Sequence, residues 1–415
     1  MSTVIDTVLG LTPRAGRARE LFEAKGIPTT KDEEWKYTPL HVLNEATWKA
    51  GEAFLPSEVW GSLDPIRLVF ANGFLVPSLS RGLDTPGLEV LDSSVAGSVA
   101  LLEAQSFDVA AHLGRLAKPE VHAFGALNAA TTTDGAYLRI TGQIERPIVL
   151  AFVSSGEGVS SSPRVYIHAV AGSQATVFET YECQGLTRAF TNAVTEVVVE
   201  SNAVLEHVKL QDESLRSVTI GLTEVKQEQD STYRNYTICL GSRITRNDLN
   251  VFVGGENCHT RIDAVVCPDG DQHMDNHTRL DHVMPNCESF EVYKHLLNGN
   301  STAVFNGKIF VHQDAQKTDA KQTNQAVLLS PTATMNTKPQ LEIFADDVKC
   351  THGATVGSLE HIMEFYMRSR GIPAVQARAL LVYAYAAEVI EQISHDGIKE
   401  ALEKRLLAKL GTEQV

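Results

Sequence analysis

The sequence predicts a mainly β protein, with a parallel β-helix core flanked by helical regions at both ends. Three observations carry this. Over residues 136–355, long runs rich in Val, Thr, Ile and Tyr replace helical patterning. The breaks between those runs recur at Ser173, Asn202, Ser231, Cys258 and Cys287, at spacings of 29, 29, 27 and 29 residues. Helical signatures gather instead in residues 1–135 and 356–415. A fixed period of that size marks stacked rungs, here with two longish strands each. A β-sandwich would show turns about every 8–12 residues and no such period. The hexapeptide repeat of the acyltransferase β-helices is absent.

At the N terminus, Thr12-Pro13 precedes a charged, Ala-rich stretch that ends at Gly26. This order reads as a helix with Thr at the N-cap, Pro at the first position and Gly just past the end. Residues 66–76, IRLVFANGFLV, set an Asn-Gly pair between apolar runs and predict a small hairpin. Leu101, Leu102, Ala110, Leu113 and Leu116 are spaced for one helical face between Val99 and Ala130. The first 135 residues therefore read as mostly helical. Strand runs such as RVYIHAV (164–170) and TEVVVE (195–200) then fill the core. Helix returns near Ser358 and stops at Arg370-Gly371, with basic residues in the last turn and Gly at C′. Pro373 opens a second helix that contains ALLVYAYAA (379–387), apolar nearly all round and so in need of cover.

Composition excludes several classes. The chain has 415 residues, 36 basic against 51 acidic, for a net charge of −15. Such a surface repels a phosphate backbone, so nucleic acid is not an expected partner. No apolar run approaches the roughly 20 residues of a membrane span, and the opening MSTVI lacks the pattern of a signal peptide. A cytoplasmic location is expected. Six cysteines without a CxxC pair are expected as free thiols. Neither GxxxxGK[ST] nor GxGxxG occurs, so this chain should bind no nucleotide of its own.

The candidate chemistry centres on Cys350 and His352. On a strand, residues i and i+2 share a face roughly 6.5–7 Å apart, so both could address one site. Thiolate and imidazole suit iron, zinc or copper. Two ligands do not complete a four-coordinate site, so further ligands would have to come from elsewhere; the plain alternative is a buried small Cys beside a surface His. In DQHMDNHTRLDH (271–282), His273 and His277 would share a face and His282 the other, which suits in-register structural stacking. Cys258 and His259 would point to opposite faces. Cys239 reads as a core residue, and Cys183, Cys267 and Cys287 show no adjacent base. Asp346-Asp347 diverge on a strand and make a poor acid/base pair.

Several strings carry more information than their spacing. EEWKYTPL (33–40), FNGKIFVH (305–312), QKTDAKQTNQ (316–325), TKPQLEIFADDVKCTHG (337–353) and RSRGI (368–372) closely resemble the SufB/SufD family of the SUF iron-sulfur cluster assembly system. The likeness spans nearly the whole chain, and the length and the EEWKYTPL opening are most like the SufD branch. It implies a right-handed parallel β-helix. It also implies a SufB-like paralogue paired through the β-helix edges and a SufC-like ABC ATPase bound through the C-terminal helical region, where Ser358, Tyr366, Arg368, Arg370 and Pro373 stand as candidate contacts. By the same resemblance, Cys350 and His352 would contribute to a transient iron-sulfur cluster shared with the SufB-like partner, His352 being the stronger ligand. The thiol that first accepts sulfur would then belong to that partner. Exposed β-helix edges also allow self-pairing into a homodimer when the paralogue is absent. Two other readings compete: a purely structural subunit in which Cys350 and His352 do no chemistry, and a β-helix carbohydrate-active enzyme, which would need a carboxylate or basic cluster on one rung face.

Overall fold

The structure, a computed structural model, describes residues 15–57, 60, 63–92, 113–185, 187–358 and 361–411. From Arg164–Ala169 onward strands alternate between two sheets, so that each later strand pairs with the one two places away in the chain. One sheet, here sheet A, stacks Arg188–Val199, Val218–Gln227, Ile244–Val253, His273–His282, Thr302–Val311 and Thr334–Ile343 in parallel register. Sheet B stacks Gln174–Cys183, Val204–Asp212, Thr232–Cys239, His259–Val266, Glu288–Leu297, Asp319–Leu328 and Lys349–Ser358 in the same way. This is the β-solenoid that the period implies.

The recurring breaks have a local cause. Ser173, Ser231, Cys258 and Cys287 each stand immediately before a sheet B strand. At the same corner, Gly172, Asn202, Asp230, Asn257, Asn286 and Lys317 adopt φ of 74°, 61°, 58°, 57°, 61° and 61°. Gly, Asn and Asp tolerate this left-handed conformation with least cost, and they supply five of these six corners. The chain is thus turned at a fixed interval by residue types suited to turning it.

Both faces of each sheet are covered. The inward faces form a core that runs from Ile66, Phe70 and Leu150 through Leu205 and Ile262 to Phe305 and Ile309. Some of the polar groups that enter this lumen are paired: His207 Nε2 lies 3.0 Å from Glu179 Oε2, and Thr195 Oγ1 donates to the same carboxylate. Burial alone would raise that carboxyl, yet the His207 contact and the Lys209 charge hold it down to about 2.

On the outside of sheet A, helix α1 (Ala15–Lys25), the 3-10 turns Glu33–Trp35 and His41–Glu45, and helix α2 (Ala123–Thr131) pack Phe22, Leu43, Trp48 and Phe124 over Phe190, Val218 and Ile220. On the outside of sheet B lie α3 (His361–Ser369), α4 (Ala374–Ile390) and α5 (Asp396–Lys409). Val382, Ala386, Val389 and Ile390 of α4, with Leu402 and Leu406 of α5, cover Phe178, Val208, Tyr236, Ile238 and Leu296. The apolar ALLVYAYAA run is therefore largely a core element, and its cover is the sheet itself. Gly371, with φ of 90°, ends the preceding helix, as the sequence suggests.

Two features differ from the sequence reading. Asn72-Gly73 does turn Ile66–Ala71 antiparallel against Phe74–Leu75, but Ile66–Ala71 also pairs in parallel with Ile148–Ser154. The solenoid thus begins within the segment that reads as mostly helical. All six residues of Ile66–Ala71 are buried, so both of its faces are covered and the run carries no period-2 signature. Of the helical face expected over Val99 to Ala130, Leu101, Leu102 and Ala110 lie outside the described residues, as does the Thr12-Pro13 cap.

Candidate functional site

Cys350 and His352 sit on Lys349–Ser358, the last strand of sheet B. Among the described residues it pairs with Asp319–Leu328 alone, with Cys350 opposite Ala320 and His352 opposite Gln322. Ala320, Gln322, Asn324 and Ala326 are the buried alternate positions of that neighbour, which fixes them as the lumen side. In-register pairing therefore turns Cys350 and His352 toward the lumen as well. Among the described residues no rung stacks above them, so this side of the strand forms the mouth of the solenoid. Cys350 is half-buried and packs against the core, whereas His352 is exposed.

Burial pushes the Cys350 thiol up, and the Asp319 carboxylate adds to the effect. The free chain consequently carries a protonated thiol whose proton a metal would have to displace. Across the mouth, Thr334–Ile343 contributes Met335 and Leu341, which pack on the same core. Below it, Gln322 Nε2 donates to Glu291 Oε2 at 2.6 Å inside the lumen. Glu291, Gln322 and His352 occupy one column over three successive rungs. Among the described residues, no group of three or more His, Cys, Asp or Glu side chains is arranged to hold a metal. The mouth offers one sulfur and one imidazole on an open rim, half of a four-coordinate set.

The other candidates resolve differently. His273 and His277 face outward and His282 inward. Burial pushes His282 down to about 4, so it is neutral beside Ser289 Oγ at 2.9 Å. His277 belongs to a network that fastens the EEWKYTPL segment to sheet A. There Arg246 donates to Asp275 at 2.6 Å, to Asp248 at 2.7 Å and to the Glu34 carbonyl at 2.8 Å, and lies 4.5 Å from the Trp35 ring centre. Burial disfavours a charged His277, but Asp275 and Glu34 outweigh it and raise its pKa. Its Nε2 lies 3.1 Å from Asp275 Oδ1 and 3.0 Å from Arg246 Nη1.

Cys258 is buried and His259 exposed, on opposite sides of their strand. Burial pushes Cys183, Cys239 and Cys267 up to about 12, which makes them inert. Asp347 lies 3.1 Å from Lys317 at the surface, where the two make an exposed ion pair. Ser358 ends the last strand in the open. Arg370 donates to Tyr366 Oη at 3.2 Å, Arg368 lies 3.9 Å from Glu364, and Pro373 precedes α4. Met363, Phe365, Tyr366 and Val375 leave apolar surface exposed beside them.

Sequence reasoning did not find Glu291, Gln322 or the Arg246 network. The only signal was the alternation Ala320, Gln322, Asn324, Ala326, in which polar residues hold inward positions.

Comparison with known proteins agrees with this architecture. Residues 152–385 match the family model described as SUF system FeS cluster assembly, SufBD core domain. The chain is 34% identical over 411 residues to the iron-sulfur cluster assembly protein SufD of Escherichia coli, covering 96% of this chain and 92% of that one. A SufBD family protein of Synechocystis is 32% identical over 94% of this chain and 88% of its own length. The chloroplastic protein ABCI7 of Arabidopsis thaliana is 35% identical over 62% of this chain and 56% of its own. A solenoid core of this extent, matched over more than half the chain and by a relative aligned almost end to end, places the protein in the SufBD family of SUF iron-sulfur cluster assembly proteins.

Proposed function

We propose that, within SUF iron-sulfur cluster assembly, this chain is a non-enzymatic scaffold subunit that supplies half of an interfacial site for a nascent cluster. The observation that carries this is the position of Cys350 and His352, side by side on the lumen face of an uncapped last rung. A second chain docked on that rung would bring the missing ligands, and the unpaired edges of Lys349–Ser358 and Thr334–Ile343 are ready for it. We take that chain to be a SufB-like paralogue. We take the exposed face of α3, with Tyr366, Arg368 and Arg370, to contact a SufC-like ATPase whose nucleotide cycle moves the helices. Six cysteines, none in a disulfide, support a reducing, cytoplasmic setting. No helix among the described residues is long and apolar enough to cross a membrane.

The test is to co-express the chain with SufB-like and SufC-like partners, purify anaerobically, and measure iron and acid-labile sulfide in wild type and His352→Ala. Loss of both with the complex intact is the expected result. Normal content in His352→Ala would leave the chain a structural subunit and remove its mouth from the chemistry.

A further inference from the structure

Gln322 is 1% exposed, yet half of its amide is unused. Its Nε2 donates to Glu291 Oε2 at 2.6 Å, while its Oε1 has no hydrogen-bond partner among the described residues. Buried amide oxygens are rarely left so. The amide is also locked in place: across the lumen stands Gly307, where a Cβ would lie 2.3 Å from Gln322 Nε2 and 2.8 Å from its Cδ. Glycine there makes room for this side chain, and the Glu291 contact decides which end of it is occupied. The rung above places His352 in register with Gln322, on the same face and roughly 4.8 Å away along the stack. An imidazole N–H is the donor that the free carbonyl lacks.

We propose that Gln322 is a positioning residue whose side-chain carbonyl accepts the N–H of His352, fixing the tautomer of the ring and turning its other nitrogen outward to receive iron. The part concerning iron rests on the scaffold reading above; the hydrogen bond itself does not. A histidine ligand generally needs such a partner, because an acceptor at one nitrogen keeps the lone pair at the other. Gln322 serves because an amide held by Glu291 cannot rotate its donor end toward the ring.

The experiment uses the full chain labelled with 15N-histidine, the His352 signals being identified by their loss in His352→Gln. Wild type should show one tautomer, with well-separated protonated and unprotonated nitrogens. In Gln322→Met, of similar shape and without the carbonyl, the two signals should move toward an average. Gly307→Ala, which retains Gln322 but displaces its amide, should do the same and guards against a folding defect in the first variant. In the reconstituted complex, Gln322→Met should weaken iron retention by roughly 10-fold or more. An unchanged tautomer in both variants overturns the hydrogen bond, and an altered tautomer with unaltered iron retention overturns its bearing on the cluster. Normal cluster content in His352→Ala would refute the scaffold reading while leaving the tautomer result intact.

Discussion

Glu291→Gln probes how the lumen treats a charge. Glu291 is buried on the inner face of Glu288–Leu297, and burial pushes its carboxyl from 4.5 up to about 7, against the opposing donation from Gln322. Between those two values the folded chain holds a proton that the unfolded chain has released. Stability therefore falls as pH rises through this window and levels off above it. Each tenfold change in proton affinity is worth about 1.4 kcal/mol, so two and a half powers of ten amount to about 3 kcal/mol. Glutamine has the same shape, stays neutral and keeps a carbonyl for Gln322 Nε2. The variant should match wild type near pH 4.5 and exceed it by about 3 kcal/mol at pH 8. Urea unfolding of both chains at pH 5, 6, 7 and 8 measures the gap. Curves that run parallel across that range would show that Glu291 ionises without cost and would refute the reasoning.

Arg246→Met should cost about 3–5 kcal/mol, because it strands Asp275, 1% exposed, without its guanidinium; a lower urea midpoint and faster tryptic cleavage at Lys31 and Lys36 would register it. His277, raised by Asp275 and Glu34, stabilises the same contact fully below the free-histidine value near 6.5 and loses that contribution as pH climbs through its folded value. Protection of the amides of residues 33–38, taken relative to their intrinsic exchange at each pH, should fall at high pH in wild type and stay level in His277→Asn. Leu402→Ala removes a fully buried side chain between α5 and sheet B and should destabilise by about 2–5 kcal/mol, read as the loss of unfolding free energy. Gly307→Ala should cost about 1–3 kcal/mol by the same measurement, since its methyl group meets Gln322 at 2.3 Å.

Most of the fold is legible wherever a turn needs a particular residue. The breaks at Asn202, Ser231, Cys258 and Cys287 stand at, or one residue after, the left-handed corners Asn202, Asp230, Asn257 and Asn286, and Asn72-Gly73 and Gly371 mark a hairpin and a helix end in the same way. The pairing of Cys350 with His352 on one face follows from strand geometry alone. That this face is the lumen does not, because it depends on register with Ala320 and Gln322, and a strand covered on both sides shows no clean alternation. Covering explains the other gaps too. Ile66–Ala71 reads as an undivided apolar run because the solenoid core lies on one side of it and the C-terminal packing on the other. The contacts of Arg246 and Asp275 with the EEWKYTPL segment are not legible in the sequence, because they join residues 212 and 237 positions apart.

The two ends of the solenoid are unlike. At its start the sheets finish in Phe74–Leu75 and Leu88–Asp92, short strands that run against the stack. At its far end they finish in ten-residue parallel strands, with no further strand beyond them among the described residues. A stackable unit with two matching ends polymerises, as fibres do, whereas one with a single receptive end terminates after one addition. Under the scaffold reading proposed above, one partner docked on this end would cover the ten-residue edges, while the opposite end offers only short antiparallel strands among the described residues.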